Sequence, residues 1–397
     1  MKKSLASIFL LFLLVSITTQ AKNEITIWTS SENIKTALDN ITGEFEKDFK
    51  TKVVVTVLNK DLTVQFKTAA ITNKGPDILV WAHDVVGELA TSGLIEPLSP
   101  PSIIKNKILD VALDAFTFRG RLYGYPYDLE AVGLIYNKKL VPHPPETMEE
   151  LKKIAKEITN KEKQIYGFLY DIGNFFFTFP FFSAGGGYIF KIDNNVTNVH
   201  DIGLSNEGSI KGSQYLYSLV SEGIIPSSTD YGIASNFMKK GQLGMTINGP
   251  WALGELKQAN IDFGVAPLPK LDGNRLRPFV GTHGFIIRRS SKNKVLAKEL
   301  IEGYLMTKQG IHSLYKADPR CPTHKDVLND LIKDDHILNA FLENAKNGIP
   351  MPNVPEMSAI WDSMNSALKL IISGQSTSEK ALNQAHKQIM ASLKIDE

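Results

Sequence analysis

Apolar and polar positions alternate in two different periods from residue 24 onward, and the period changes at regular intervals. EITIWTS and KVVVTVL have the short, β-branched character of strands, while Lys35 to Asp48 brings Leu38, Ile41 and Phe45 onto one helical face. GPDILVWAHD follows, with Gly75-Pro76 as punctuation and Ile78, Leu79 and Val80 as the unbroken apolar run of a strand covered on both faces. Strand, helix and strand in succession predict βαβ units and a parallel sheet. After the extended segment RLYGYPYDLEAVGLIYNKK a second alternating region begins, with YGFLYD, the aromatic cluster FFFTFPFF, the helical NEGSIKGSQYLYSLVSEG and the strand and turn GMTINGPW.

The tail reads as two helices. Pro355 suits a first helical turn, Ile360, Trp361, Met364, Leu368 and Ile371 recur at helical spacing, and Gly374 stops the helix. Ser376 and Glu379 have capping-box spacing for a last helix carrying Leu382, Ala385, Ile389 and Leu393. With 397 residues the chain is too long for one ordinary core, so two domains are expected. No repeat or Ser/Gly linker separates them, which predicts that they meet through short crossing strands.

The first residues change the compartment. MKKSLASIFLLFLLVSITTQA joins Lys2 and Lys3 to an apolar run from Leu5 to Ile17 and a small-residue exit at Thr19 and Ala21, the pattern of a secretory signal peptide. A retained membrane anchor is the weaker reading, and no cysteine stands near the exit for a lipid. Cleavage after Ala21 leaves 42 basic against 42 acidic residues, so nothing favours nucleic acid or an anionic membrane as partner. The single cysteine, Cys321, excludes an intrachain disulfide and leaves folding to the core.

Catalytic motifs are missing: there is no phosphate loop, dinucleotide glycine fingerprint, HExxH or GxSxG. His83 beside Asp84 does not amount to a metal or acid/base pair, since neighbours on an extended chain point to opposite sides. Trp81, Trp251 and Trp361 stand instead at punctuated places: after a strand, after NGP, and early in the tail helix. Any one of them reads first as core. Together they suit a sugar, because indole faces bind the flat apolar side of a pyranose while carboxylates accept from its hydroxyls. For Asp84 the structural alternative is a helix N-cap.

The segments GPDILVWAHD, YPYDLEAVGLIYNKKLVPHPPETMEEL, GNFFFTFPFFSAGGGYIF, MTINGPWA, RPFVGTHGF and MPNVPEMSAIW resemble the maltose/maltodextrin-binding proteins, the periplasmic components of maltodextrin importers, in order and spacing. The resemblance implies a two-lobed periplasmic binding protein fold of the α/β class, with a ligand cleft between lobes and hinge crossings. It implies lobes of residues 22–128 with 285–331 and 129–284 with 332–397, after a signal peptide over 1–21. It further implies a periplasmic monomer that binds an oligosaccharide, uses no cofactor, performs no chemistry and docks on an inner-membrane ABC permease with a cytoplasmic ATPase.

Carried over by position, the stacking residues are Trp81, Trp251 and Trp361 and two sugar-binding carboxylates are Asp84 and Glu130. The rest of the lining departs. Glu32 and Asn33 stand where the family has aspartate then lysine, and Val85 where it has arginine. Asn174 and Phe176 replace a glutamate and a tyrosine, Asp362 and Asn365 replace a tyrosine and an arginine, and Thr63 and Val64 replace an acidic pair. Cationic positions are therefore neutral, and each lost charge-assisted donor is worth roughly 1.5–3 kcal/mol unless another group compensates. Which sugar is bound stays open, as do a secreted glycosidase built on Asp84 and Glu130 and a sensor module that signals closure to a receptor.

Overall fold

A computed structural model describes residues 24–193 and 196–393; the expected leader over residues 1–21 lies outside the described residues. The expected alternation is present at the start, as β1 (Glu24–Thr29), α1 (Glu32–Phe49), β2 (Lys52–Val57) and β3 (Ile78–Ala82), with β1 parallel to both β2 and β3. The chain then passes through β4 (Tyr125–Pro126) into a second sheet built from β5 (Gly133–Asn137) and β6 (Tyr166–Phe168). The aromatic cluster forms α2 (Phe175–Ala184), and the second sheet is completed by β7 (Leu243–Asn248) and β8 (Phe263–Ala266). β9 (His283–Ile287) returns to the first sheet, antiparallel to β3 and β4. The tail helices α3 (Met357–Ile372) and α4 (Ser378–Leu393) end the described chain.

Strand order is β2-β1-β3-β9-β4 in the first sheet and β8-β5-β7-β6 in the second. The first sheet is thus mixed: β9, which the local pattern did not reveal, runs antiparallel between β3 and β4. Each sheet carries its own apolar core. Ile25, Ile27, Leu38, Phe45 and Ile78 belong to one, and Leu134, Phe168, Phe181, Met245, Leu368 and Ile389 to the other. Burial of such side chains is the main stabilising term, at about 25 cal/mol per Å² of apolar surface.

Four short extended segments meet where the halves join, and they pair with one another. Asp128–Leu129 runs antiparallel to Cys321–Pro322, Glu130 exchanges backbone hydrogen bonds with Gly281, and Phe279–Val280 lies parallel to Ile349–Pro350. Backbone at the junction is therefore hydrogen-bonded, which short crossing strands achieve and a loose linker would not.

Helix ends follow the expected chemistry with one shift. Gly374 adopts φ 71°, the left-handed conformation that terminates α3 at little steric cost. At α4 the cap is Thr377, not Ser376: the Lys380 amide donates to Thr377 Oγ1 at 3.3 Å. Adjacent hydroxyls compete for the same orphan amides, and the buried face of Leu382, Ala385, Ile389 and Leu393 sets the register that decides between them.

Candidate ligand-binding cleft

Between the two halves lies a cleft of about 720 Å³, a size ordinary for small-molecule sites. Trp81, Asp84, Glu130, Trp251 and Trp361 all line it, as do Asn174, Phe176, Asp362 and Asn365. Thr63, Val64 and Val85, the departures on the first half, are there as well. Glu32 and Asn33 are not. They are exposed in the first turn of α1, whose cap is the hydroxyl of Ser31. Asn33 Nδ2 lies 3.8 Å from where a Cβ on Gly254 would stand, so it faces the opposite half at the rim.

One wall is aromatic and belongs to the second half. In α2 every residue except Phe176 is buried, and Phe179 stacks on Phe279 with centroids 3.8 Å apart. Trp361 packs against Phe175 and Phe279 at 6.2 and 5.7 Å, and Trp251 against Phe176 and Phe177 at 6.1 Å each. The indole of Trp251 folds back over Gly249, where a Cβ would sit 2.0 Å from the ring. Only glycine leaves room for that approach. Each tryptophan is half-buried, with one part fixed by packing and another part in the cleft.

Two asparagines hold the wall in place. Asn174 Oδ1 accepts from the Phe176 amide at 3.0 Å, and Asn365 Oδ1 accepts from the Phe175 amide at 2.8 Å. Together they satisfy orphan donors at the start of α2. Asn174 also donates to Asp171 at 3.2 Å. Their carbonyls are therefore engaged by the protein's own backbone.

The opposite wall holds Trp81 at the end of β3 and Asp84 just beyond it. Asp84 makes no helix-capping hydrogen bond. Its Oδ2 accepts from Trp361 Nε1 at 3.3 Å, a contact between the two halves, and its Oδ1 is buried without a partner. Burial pushes the Asp84 carboxyl above the ordinary carboxylate range, against the pull of His83 and of the indole N–H. His83 is structural: its Nδ1 accepts from the Thr282 amide at 3.2 Å and its Nε2 lies 2.9 Å from the Met351 carbonyl, which makes Nε2 the protonated nitrogen. Burial holds it below the usual histidine value, as a neutral pin between crossings.

At the floor, on the crossing strands, is a cluster of charges that the sequence did not single out. Arg320 Nη1 lies 3.0 Å from Glu130 Oε2 and Arg320 Nε 3.2 Å from Asp318 Oδ2, while His283 Nδ1 lies 3.0 Å from Asp128 Oδ1. Nη1 also crowds the imidazole, 2.8 Å from the same Nδ1. Nδ1 directs its proton to Asp128, while Nε2 lies 3.8 Å from Glu130 Oε1. Burial alone would lower His283, yet Glu130 and Asp128 outweigh it and hold the imidazole above its usual value. Glu130 is raised by burial despite His283 and Arg320, whereas Asp128 is held low because His283 and Arg320 overcome burial. Lys67 and Glu88, on the first half, form a further ion pair at 2.7 Å.

Lys67, Glu88, Phe177, His283 and Arg320 are thus cleft residues absent from the expected set. His283 stood within the quoted RPFVGTHGF, and Arg320 beside the lone cysteine in DPRCP, but neither spacing nor pattern marks either one. Among the described residues no group of three or more His, Cys, Asp or Glu side chains is placed to hold a metal ion. Arranged this way, the cleft can stack a flat apolar face on indoles and exchange hydrogen bonds with carboxylates, amides and one guanidinium.

Two lobes around a deep interlobe cleft define a solute-binding protein, and sequence comparison agrees. Residues 40–340 match the family of bacterial extracellular solute-binding proteins, and the chain belongs to that family. It is 31% identical over 319 residues to the maltotriose-binding protein of Pyrococcus abyssi, covering 79% of this chain and 69% of that protein. It is 28% identical over 382 residues to the galactooligosaccharide-binding protein of Bacillus subtilis, 94% of this chain and 90% of that one. A maltooligosaccharide ABC transporter solute-binding lipoprotein of Streptococcus pneumoniae is 27% identical over 383 residues, covering 94% and 89%.

Proposed function

We propose that this protein captures an oligosaccharide, with a maltodextrin as first choice, outside the cytoplasm and delivers it to the permease of an ABC importer. The observation that carries this reading is the placement of Trp81 across one cleft from Trp251 and Trp361, with Asp84 and Glu130 between them. Indoles on both sides supply stacking, and the carboxylates supply acceptors for hydroxyls. The relatives' names, which include maltotriose and galactooligosaccharide, support a sugar and leave its linkage to experiment.

In this reading the lobes comprise residues 22–128 with 285–331 and 129–284 with 332–397, and they close over the ligand. A ligand touching both lobes favours the closed form because those contacts exist only there. The protein acts as a monomer in the periplasm after cleavage following Ala21, without cofactor or catalysis. Of the expected site residues, Trp81, Asp84, Glu130, Trp251 and Trp361 contact sugar directly. Asn174, Phe176, Asp362 and Asn365 complete the lining, while Glu32 and Asn33 act at the rim.

Calorimetry of the mature protein with maltotriose, longer maltodextrins and galactooligosaccharides tests this, together with small-angle scattering. Binding of one class with a smaller radius of gyration is expected. Silence across the panel would overturn the sugar reading. Release of shorter sugars from maltotriose, abolished by Glu130→Gln, would make the protein a glycosidase instead.

A further inference from the structure

The cations among the cleft-lining residues are Lys67, Arg320 and, when protonated, His283. Lys67 is paired with Glu88 on the side of the first lobe. Arg320 is differently placed. Its guanidinium carbon lies 5.6 Å from the centroid of the Trp251 ring, so a cation next to the Cys321–Pro322 strand stands over an indole of the second lobe. Nη1 and Nε face Glu130, His283 and Asp318, and Nη2 has no protein partner among the described residues. Glu130 is 3.0 Å from Nη1, yet its carboxylate receives no well-directed hydrogen bond from the protein.

A free donor and an under-used acceptor therefore lie side by side next to a stacking platform. We propose that Arg320 and Glu130 form the specificity-determining pair of the cleft, reading two adjacent hydroxyls of a neutral pyranose seated on Trp251. One hydroxyl accepts from Arg320 Nη2 and its neighbour donates to Glu130, so both ligand oxygens find charge-assisted partners. A guanidinium suits this task because its planar fork is held by its other contacts before the ligand arrives. The inference rests on the sugar-binding reading and adds to it the chemical feature recognised and the pair that recognises it.

Charge decides the class of sugar. Asp128, Glu130 and Asp318 surround Arg320 and His283, so carboxylates outnumber cations in the cluster even with His283 protonated. A sugar acid would bring another carboxylate to a corner that already has an excess. The cleft thus favours neutral oligosaccharides over their uronic-acid counterparts, although an arginine stands at its floor.

The test is calorimetry of the full mature protein with maltotriose, galactotriose, the corresponding galacturonic acid trimer, and the set of monodeoxy analogues of whichever neutral trimer binds. In the wild-type protein, removal of either of two adjacent hydroxyls should weaken binding by about 10-fold or more, and the acidic trimer should bind at least as much more weakly than its neutral counterpart. Arg320→Gln should lose about 10- to 100-fold in affinity for the parent sugar and nothing further when the hydroxyl read by Arg320 is also absent. A residue that only supported the fold would weaken every analogue by the same factor, and that result overturns the proposal. Arg320→Lys keeps the ion pair with Glu130 but offers no fork, and should show the same selective loss. Should neither variant fold, the wild-type hydroxyl scan decides: sensitivity at non-adjacent or at no positions overturns the pair. Binding of no trimer by the wild-type protein would bring down the sugar reading and this inference together, whereas tight binding with an indifferent Arg320→Gln brings down the inference alone.

Discussion

The aromatic wall and the ionic floor meet in one cleft but are held by opposite physics. Trp251, Trp361 and the phenylalanines of α2 are positioned by packing, ring against ring over an apolar core. Asp128, Glu130, His283, Asp318 and Arg320 are positioned by mutual charge on strands that cross between lobes. Losing one ring leaves neighbours that still favour burial. Losing one charge leaves a partner buried and uncompensated, which is why a buried ion pair is costly to break although it adds little net stability. Rigidity on the aromatic side and sensitivity on the ionic side follow.

The largest effect is expected on the ionic side. Arg320→Ala leaves Asp128, Glu130 and Asp318 buried together with only His283 to offset them and should lower unfolding free energy by about 3–5 kcal/mol, measured by urea denaturation. A loss no larger than that of an exposed arginine would mean that the floor is solvated and the contrast false.

On the aromatic side, Trp251→Ala should leave the fold cooperative and weaken sugar binding by roughly 1–3 kcal/mol if the indole is an anchor. Calorimetry and denaturation measured on the same preparation separate the two roles. Full affinity with reduced stability would return Trp251 to the core.

Asp84 sits where the walls touch, and its sign differs from that of Asp128. Burial raises the folded carboxyl above its ordinary value of 3.8, so the folded state holds the proton more tightly than the unfolded chain. Its contribution is fully present below the ordinary value and is lost as pH rises through the raised one. Asp84→Asn keeps an acceptor for Trp361 Nε1 without the charge. We expect a higher denaturation midpoint at pH 7 and a shallower fall between acid and neutral pH, alongside weaker sugar binding. A variant less stable than the wild type at neutral pH would show that the Asp84 charge is favourable where it stands.

The smallest effect is expected at Cys321, behind the floor. Burial pushes its thiol up to about 12, so the folded protein should resist iodoacetamide at pH 8 while the denatured protein reacts fully, as intact mass will report. Prompt labelling of the native protein would reveal opening of the crossing strands.

The aromatic wall was legible in the chain because its parts are contiguous. FFFTFPFF, NGPW and the spacing around Trp361 each announce a local arrangement, and stacking residues at punctuated positions suggest a platform before any coordinate is known. The two halves and the strand-helix alternation could be read for the same reason, since periods of 2 and 3.6 are local properties. Closure of the first sheet by β9 could not, because that pairing joins residues 283–287 to 78–82.

The ionic floor has no local signature at all. Asp128 and Glu130 meet His283 more than 150 positions away, and Arg320 arrives from a third segment, next to the Cys321–Pro322 strand. Asn174 and Asn365 show the same limit: each looks like a ligand residue, but only the folded chain shows its carbonyl capping α2. Sequence alone determined the elements and marked Trp81, Asp84, Trp251 and Trp361 as candidates, with Glu130 added by the resemblance, because burial patterns and side-chain chemistry are written residue by residue. Tertiary structure alone decided which charges share the floor, which polar groups are already engaged, and that Arg320 stands over Trp251, because electrostatic and hydrogen-bond partners are chosen by distance in space.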